Sequence, residues 1–503
     1  MSHDWVKLDK TVRTRLAETT EADSPIPARI VSNGEYTPPP QSRQQAAVQV
    51  ELGRLAEIFA PQLGLGRRDF LRSSLGMAAA FAALNSVFGS NYAVAQDEYA
   101  DPDSAAERAL LYRDQYIFDG HLHFVHDDYA WPGILGFRNA ARAMGALAAD
   151  ARPPTFEDVK FGNFIKEVFF DSDTTAGIVT TATSDDPSKV FLSNAQISTD
   201  VDRFNAATGS QRLFKQCAFH PGAPGWRDQI EEAIAIHRPL SWKGYTIGDP
   251  LTPHSRHPWR LDDEDLVYPA FERFAQAGIT TVCIHKGLVP GNYADVIPDL
   301  WRHAIVDDVG KAARDWQQLN FVIYHAALQP VVLFDPAFKQ RFEETGRMNW
   351  VSDLADIPAR FGVSNVYADV GTSFGQGAIT EPRLAAALMA ILVKGLGEDR
   401  VLWGSDSVWW GSPQWQIEAF RRIEVAEDLQ ERFSLPALGS GQGALKTRIF
   451  GENSAALYRL PDSQRTVAGF AGDGLAQAKA AYVEAGPERS NAVYGFVREM
   501  DGQ

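Results

Sequence analysis

Two histidines one residue apart, His121 and His123, end an apolar run in the stretch YIFDGHLHFVHDD (116–128). In a β-strand successive side chains alternate faces. The two imidazoles therefore point the same way, and Asp119 shares their parity. A His-x-His pair on one strand face can close on a single metal ion. It can equally line a solvated strand, and the pair by itself does not decide between them. Three further residues share its setting. His285 follows TTVCI, His325 follows FVIY and Asp406 follows VLWGS, each closing a run of strand formers. Taken singly, each histidine reads as well as a satisfied core residue.

Such residues need elements that bring their ends together. From Gln96 onward, short β-rich runs alternate with helical patterns. The runs are 116–124, 176–184, 212–220, 242–248, 278–285, 319–325, 365–371 and 400–406. Helical patterns such as LVYPAFERFAQAG and PRLAAALMAILVKGLG separate most of them. Eight strands alternating with helices predict an α/β fold, a (β/α)8 TIM barrel. The extra length falls mainly between the first two strands and after the eighth. An open doubly wound sheet would want a glycine-rich phosphate loop after its first strand, and DGHLHFVHDD is not one. In a barrel the chemistry sits at the carboxyl ends of the strands. His121, His123, His285, His325 and Asp406 all stop there, and five such residues at one rim make coincidence a poor explanation.

Composition narrows the function. The chain has 503 residues, 45% of them hydrophobic, and a net charge of −16. It is long enough for a large core, and its acidity argues against nucleic acid and anionic membrane surfaces as partners. Two cysteines, Cys217 and Cys283, cannot make a disulfide framework and are expected as buried thiols. Residues 1–65 read as a polar, disordered tail. Residues 66–95 pair Arg67 with Arg68, continue with Phe70 and Leu71, and pass through an Ala-rich segment to Ala93-Val94-Ala95. This segment resembles a twin-arginine export signal with a small-x-small cleavage site. The resemblance implies export in the folded state by the twin-arginine machinery, cleavage after Ala95 and a periplasmic or other extracytoplasmic location. The apolar part is too short and too diluted for a permanent membrane span. Residues 96–503 are then the barrel domain.

The pieces DGHLHF, CIHKG, VIYHAA, NVYADVG, VLWGSDS and GENSAALYRL, spread over 116–460, are together similar to the amidohydrolase superfamily. The likeness is to its amidohydrolase-related branch, which also holds aminocarboxymuconate-semialdehyde decarboxylase-like enzymes. Carried over by position, the resemblance makes His121, His123 and His285 ligands of one divalent metal ion, with zinc the expected ion. It places Asp406 as the carboxylate beside the metal and its water, and His325 facing substrate or water. Imidazole suits zinc and other first-row metals. A catalytic zinc keeps a position open for water and lowers the pKa of that water toward about 7. Asp406 can accept its proton and His325 can orient it. Binuclear members carry a carboxylated lysine at the end of strand four. Here Lys243 stands at the start of WKGYTIG, so one metal is expected and Lys243 reads as a structural charge.

Asp119 is expected one layer beneath the ligands, orienting one of them. His220, at the end of the third run, is a candidate for reaching the pocket, and Trp409 and Trp410 for lining its mouth. The leading expectation is an exported, mononuclear metal-dependent hydrolase of a small-molecule ester, lactone or amide. The same constellation supports non-oxidative decarboxylation of an aromatic or dienoic acid. A metal-binding barrel without catalysis is a third class, and a homo-oligomer is compatible with all three.

Overall fold

The computed structural model describes residues 24–27, 41–129, 156–250, 252, 254–288, 293–329, 335–409 and 411–486. Eight parallel strands follow one another around a single sheet: β1 (Phe118–Leu122), β2 (Ala176–Val179), β3 (Leu213–Ala218), β4 (Ser241–Tyr245), β5 (Thr281–His285), β6 (Asn320–Tyr324), β7 (Val366–Asp369) and β8 (Val401–Leu402). Backbone bonds close β8 onto β1. Gly120 N–H donates to Trp403 O at 3.0 Å, Asp406 N–H to His121 O at 2.9 Å and Val408 N–H to His123 O at 3.1 Å. The fold is a (β/α)8 TIM barrel, as the alternation of strand and helix patterns predicts.

All eight expected runs hold a strand, and most end sooner at the carboxyl side than the sequence suggests. The backbone beyond them leaves the β region. His325 has φ 60°, Thr372 φ 58° and Asp406 φ 63°, a left-handed conformation that costs a residue with a Cβ about 1–2 kcal/mol. Such strain persists only where surrounding contacts fix it, and it gathers at functional sites. Strand β1 itself has a register irregularity between Asp119 and Leu122.

Inside the barrel, Cys283, Val322, Tyr324 and Leu402 form one small buried cluster. Both cysteines are free and buried. Lys243 sits in the middle of β4 rather than at its start. It is fully buried, with its ammonium 3.6 Å from the centre of the Tyr324 ring and 5.0 Å from that of Tyr245. Behind β5, Lys286 Nζ donates to Asp308 Oδ2 at 2.9 Å and to His303 O at 2.8 Å, with both charged side chains wholly buried.

The expected disordered tail is corrected over its last third. Arg43–Gln62 is a helix, opened by a reciprocal cap between Ser42 and Gln45. Its Val48, Leu52, Leu55, Ala56 and Ala60 are buried in the main core. Sequence reading missed it because its polar residues, Gln45, Gln49 and Glu51, are buried too, which blurs the apolar stripe that marks a helix. Beyond a short helix, Arg67–Leu71, the helix Ser74–Phe88 packs against it and against Gln414–Arg422. The barrel's core thus continues into 41–95. Among the described residues no helix is long and apolar enough to cross a membrane.

Lys286 pins the chain immediately after His285. Lys286→Met leaves Asp308 as a buried carboxylate without its cation, and breaking such a pair costs about 3–5 kcal/mol. Chemical denaturation should show the unfolding free energy lowered by that amount, with the midpoint falling accordingly; an unchanged midpoint would mean the pair adds nothing.

Candidate metal centre

The closing seam between β8 and β1 carries the tightest cluster of ligating side chains. One ligand atom each from His121, His123 and Asp406 lies within 4.8 Å of the others, and all three residues are buried. Asp406 Oδ1 is 3.2 Å from His123 Nε2 and 3.5 Å from His121 Nε2. The His325 ring centre is 4.9 Å from that of His121, and the His285 ring is 4.7 Å from that of His325. The tight group holds His121, His123 and Asp406; His285, expected as the third imidazole ligand, is not part of it and stands against His325.

The partners of the Nδ1 atoms fix the tautomers. His123 Nδ1 lies 3.0 Å from Thr180 O, and His325 Nδ1 lies 2.8 Å from Gly371 O. A carbonyl only accepts, so both Nδ1 atoms carry the proton and donate. His121 Nδ1 is 3.0 Å from Asp369 Oδ1, which already accepts from Gly371 N–H at 3.0 Å. A proton on Asp369 would therefore sit on the other oxygen, and His121 Nδ1 also donates. All three rings present a bare Nε2 lone pair.

Electrostatics keeps these groups in ligand form. Burial, followed by the Lys243 charge, holds His121 well below its ordinary pKa. Burial does the same for His285, with His325 and Lys243 adding to it, and it lowers His123 against the pull of Asp406. His325 is lowered to about 4, again chiefly by burial. Burial works to raise Asp406; the hydroxyl of Thr372 works the other way and favours the ionised form, as a proton shared with His123 would. Thr372 Oγ1 donates to Asp406 Oδ2. An ionised oxygen therefore faces two imidazole lone pairs, and His121 Nε2 is buried with no hydrogen-bond donor. Acceptors facing acceptors at this range repel unless a cation lies between them. The donor set fits a divalent metal ion.

Two glycines make room for this arrangement. A Cβ at Gly404 would come within 2.0 Å of Asp369 Oδ2 and 2.8 Å of the His121 Cβ, and one at Gly371 within 2.7 Å of His121 Nδ1.

Some expected residues take other places. Asp119 does not orient a ring. Its Oδ1 accepts from the backbone N–H of His121 and of Ser405, at 3.1 and 3.0 Å, tying β1 to β8, and burial pushes its pKa up to about 7. The orienting carboxylate is Asp369, at the end of β7. Sequence reading passed over it, although it closes an apolar strand as Asp406 does. Trp409 stands 5.7 Å from the His123 ring, and Phe191, also missed, completes the wall at 5.8 Å from His123 and 5.5 Å from Trp409. Trp410 lies outside the described residues. His220 stands outside the tight group, with Asp185 at 3.7 Å and the His257 ring at 5.7 Å.

The family model described as amidohydrolase matches residues 248–460. That stretch holds His285, His325, Asp369 and Asp406, and begins after the His121-x-His123 pair. Among curated proteins none matches the chain. Solved structures similar in fold include an uncharacterised TIM-barrel protein from Bordetella bronchiseptica, 13% identical over 68% of this chain and 98% of that one, with a TM-score of 0.43. Others are 5-carboxyvanillate decarboxylase from Sphingomonas paucimobilis (14% identity, 69% and 100% coverage, TM-score 0.39) and 2,6-dihydroxybenzoate decarboxylase from Rhizobium (10%, 69% and 99%, 0.40).

A histidine buried as the neutral ring has a pH signature. The folded-state pKa of His325 lies below that of the unfolded chain, so the unfolded state binds the extra proton as pH falls. Its contribution to stability is whole above about pH 6.5 and is lost toward about pH 4, by about 3 kcal/mol. In metal-free protein, the stability of the wild type minus that of His325→Asn should follow this course. The buried carboxylates Asp119 and Asp369 titrate in the opposite sense and cancel in the difference. A difference flat from pH 7 to pH 4 would show that the ring is not held neutral.

Proposed function

We propose that this chain is a metal-dependent enzyme of the amidohydrolase superfamily. It binds one divalent ion through His121, His123 and Asp406, with His285 and His325 beside it, and hydrolyses a small-molecule ester, lactone or amide. The observation that carries the reading is the convergence of bare Nε2 atoms on an ionised carboxylate at the carboxyl ends of barrel strands. The amidohydrolase match over 248–460 supports it. A divalent ion at this donor set, zinc or another first-row metal, supplies Lewis acidity, polarising a substrate oxygen and making water acidic enough to react near neutral pH.

The chain's own groups do the rest. Asp369, Thr180 O and Gly371 O anchor the Nδ1 sides of His121, His123 and His325, so the rings cannot turn away from the centre. Thr372 holds Oδ2 of Asp406 and aims Oδ1 inward, where it can take a proton from water. His325, neutral at physiological pH, can accept a proton or direct one to the leaving atom. Phe191 and Trp409 keep bulk water from His123. Trp409 also offers substrate an apolar surface.

A second reading is decarboxylation of an aromatic carboxylic acid. The Phe191–Trp409 wall favours it, because two aromatic faces beside His123 suit a flat ring. In that reading an ion held by the same residues would bind the substrate carboxylate, and a proton replaces carbon dioxide on the ring. A panel of lactones, esters, amides and hydroxylated benzoates, assayed for acid release and for carbon dioxide, separates the two.

Metal content and turnover of single variants test the assignment. His121→Ala should lose metal and activity together. Asp369→Ala should keep the fold and weaken metal affinity about 10–100-fold, the usual cost of removing a carboxylate that orients a ligating histidine. His325→Ala should keep most of its metal while turnover falls about 10²–10⁴-fold, and Asp406→Asn should lose activity and bind metal more weakly. Complete metal loss in His325→Ala would move His325 into the ligand set. Metal binding undiminished in His121→Ala would refute the centre.

A further inference from the structure

The stretch that reads as an export signal is built into the folded protein. Phe70 and Leu71, directly after the arginine pair, are wholly buried. Arg67 lies 3.8 Å from Glu57 of the preceding helix. The apolar segment forms the helix Ser74–Phe88, which buries Leu75, Ala79, Ala80, Phe81, Ala83 and Leu84 in the main core. A free apolar signal region would make none of these contacts.

The small-x-small stretch is held more firmly still. The Asn85 side chain accepts from the backbone N–H of Asn91 and Tyr92, both at 3.0 Å, and donates to Tyr92 O at 2.8 Å, which fixes the turn after the helix. The chain then pairs with 422–424 around an isolated antiparallel bridge. Glu424 N–H donates to Asn91 O at 2.9 Å, Tyr92 bridges Ile423 in antiparallel sense, and Ala93 N–H donates to Arg422 O at 2.8 Å. Arg422 Nη1 returns a bond to Ala93 O at 3.1 Å, and the Tyr92 hydroxyl donates to Ala378 O at 2.5 Å. Just beyond, Glu98 pairs with Arg422 at 2.7 Å and with Arg108 at 3.2 Å. Glu418 meets Arg422 at 3.2 Å and Arg108 at 3.4 Å.

A peptidase that cuts after Ala95 must take the residues before the bond as an extended strand and pair with their backbone. Both backbone groups of Ala93 are already committed to Arg422. We propose that residues 42–95 are a permanent module of the folded enzyme, docked on the helices Ser373–Thr380 and Gln414–Arg422, and that the Ala93-Val94-Ala95 site is not cut once the barrel has formed. The docking surface leads to the candidate centre. Ser373–Thr380 begins next to Thr372, which holds Asp406. Gln416 Nε2 donates to Ser405 O at 3.1 Å, one residue before Asp406. The module buttresses the loop that carries the carboxylate. Arg68 is exposed and Arg67 half-buried, so it is release of the buried Phe70 and Leu71 beside them to an export receptor that would require the module to undock.

The test uses the full chain, expressed in cells with active twin-arginine export and recovered from every fraction. Intact mass should give a chain that still contains residues 42–95. Hydrogen exchange should show the amides of Ala93 and Glu424 protected to the level of the barrel strands. Arg422→Ala removes the side-chain bond to Ala93 and the Glu98 pair, and should speed exchange at Ala93 by about tenfold or more while β5 and β6 keep their protection. A mature chain beginning at Gln96 would overturn the proposal. So would amides at Ala93 and Glu424 that exchange as fast as an open loop, or protection at Ala93 unchanged in Arg422→Ala.

Discussion

The bond between His121 Nδ1 and the Asp369 carboxylate, 3.0 Å long and out of contact with solvent, is the contact on which the centre depends. It joins the end of β1 to the end of β7 across the inside of the barrel and sets the tautomer of the first ligand. It also explains two glycines, since Gly371 and Gly404 leave the volume that this pair occupies. Its geometry requires β8 to be short. The chain turns out of the sheet at Trp403, and Asp406 enters from a left-handed backbone to face the ring that Asp369 has oriented.

Burying four imidazoles together is costly if any of them is charged, and the surroundings keep them neutral. Desolvation is the main cause for each, and the buried ammonium of Lys243 adds its repulsion from below. Lys243 lies against the faces of Tyr324 and Tyr245. The attraction of a cation to an aromatic face grows when both are desolvated. The floor of the site is therefore positive and its rim neutral, and Asp406 is the ionised group at the rim. This distribution suits a site that gathers a small cation between imidazoles and a single carboxylate.

The N-terminal helices extend the same logic outward. The loop carrying Asp406 has few strand bonds of its own, because β8 has only two residues. Its support comes from Gln416 and Thr372, and the helix that contains the first and the helix that follows the second are both packed against 41–95. An element that looks removable in the sequence thus lies on the load path to the carboxylate.

Much of this protein was legible without coordinates. Eight apolar runs alternating with helical patterns determined the barrel, because period and order in sequence map directly onto a parallel closed sheet. Polar residues ending those runs determined the ligand candidates, since strand ends converge at one rim whatever the loops do. What the sequence left open depends on contacts between residues far apart. Asp369 and Asp119 look alike in sequence, each an acidic residue in an apolar run. Only the tertiary structure gives the first an imidazole and the second two backbone N–H groups. Phe191 meets Trp409 only through loops that sequence does not position. The arginine pair and the alanine-rich segment satisfy the pattern of an export signal by composition alone. Whether such a segment hangs free or packs is decided by the surface available to receive it, and that surface exists only once Ser373–Thr380 and Gln414–Arg422 lie side by side on the barrel.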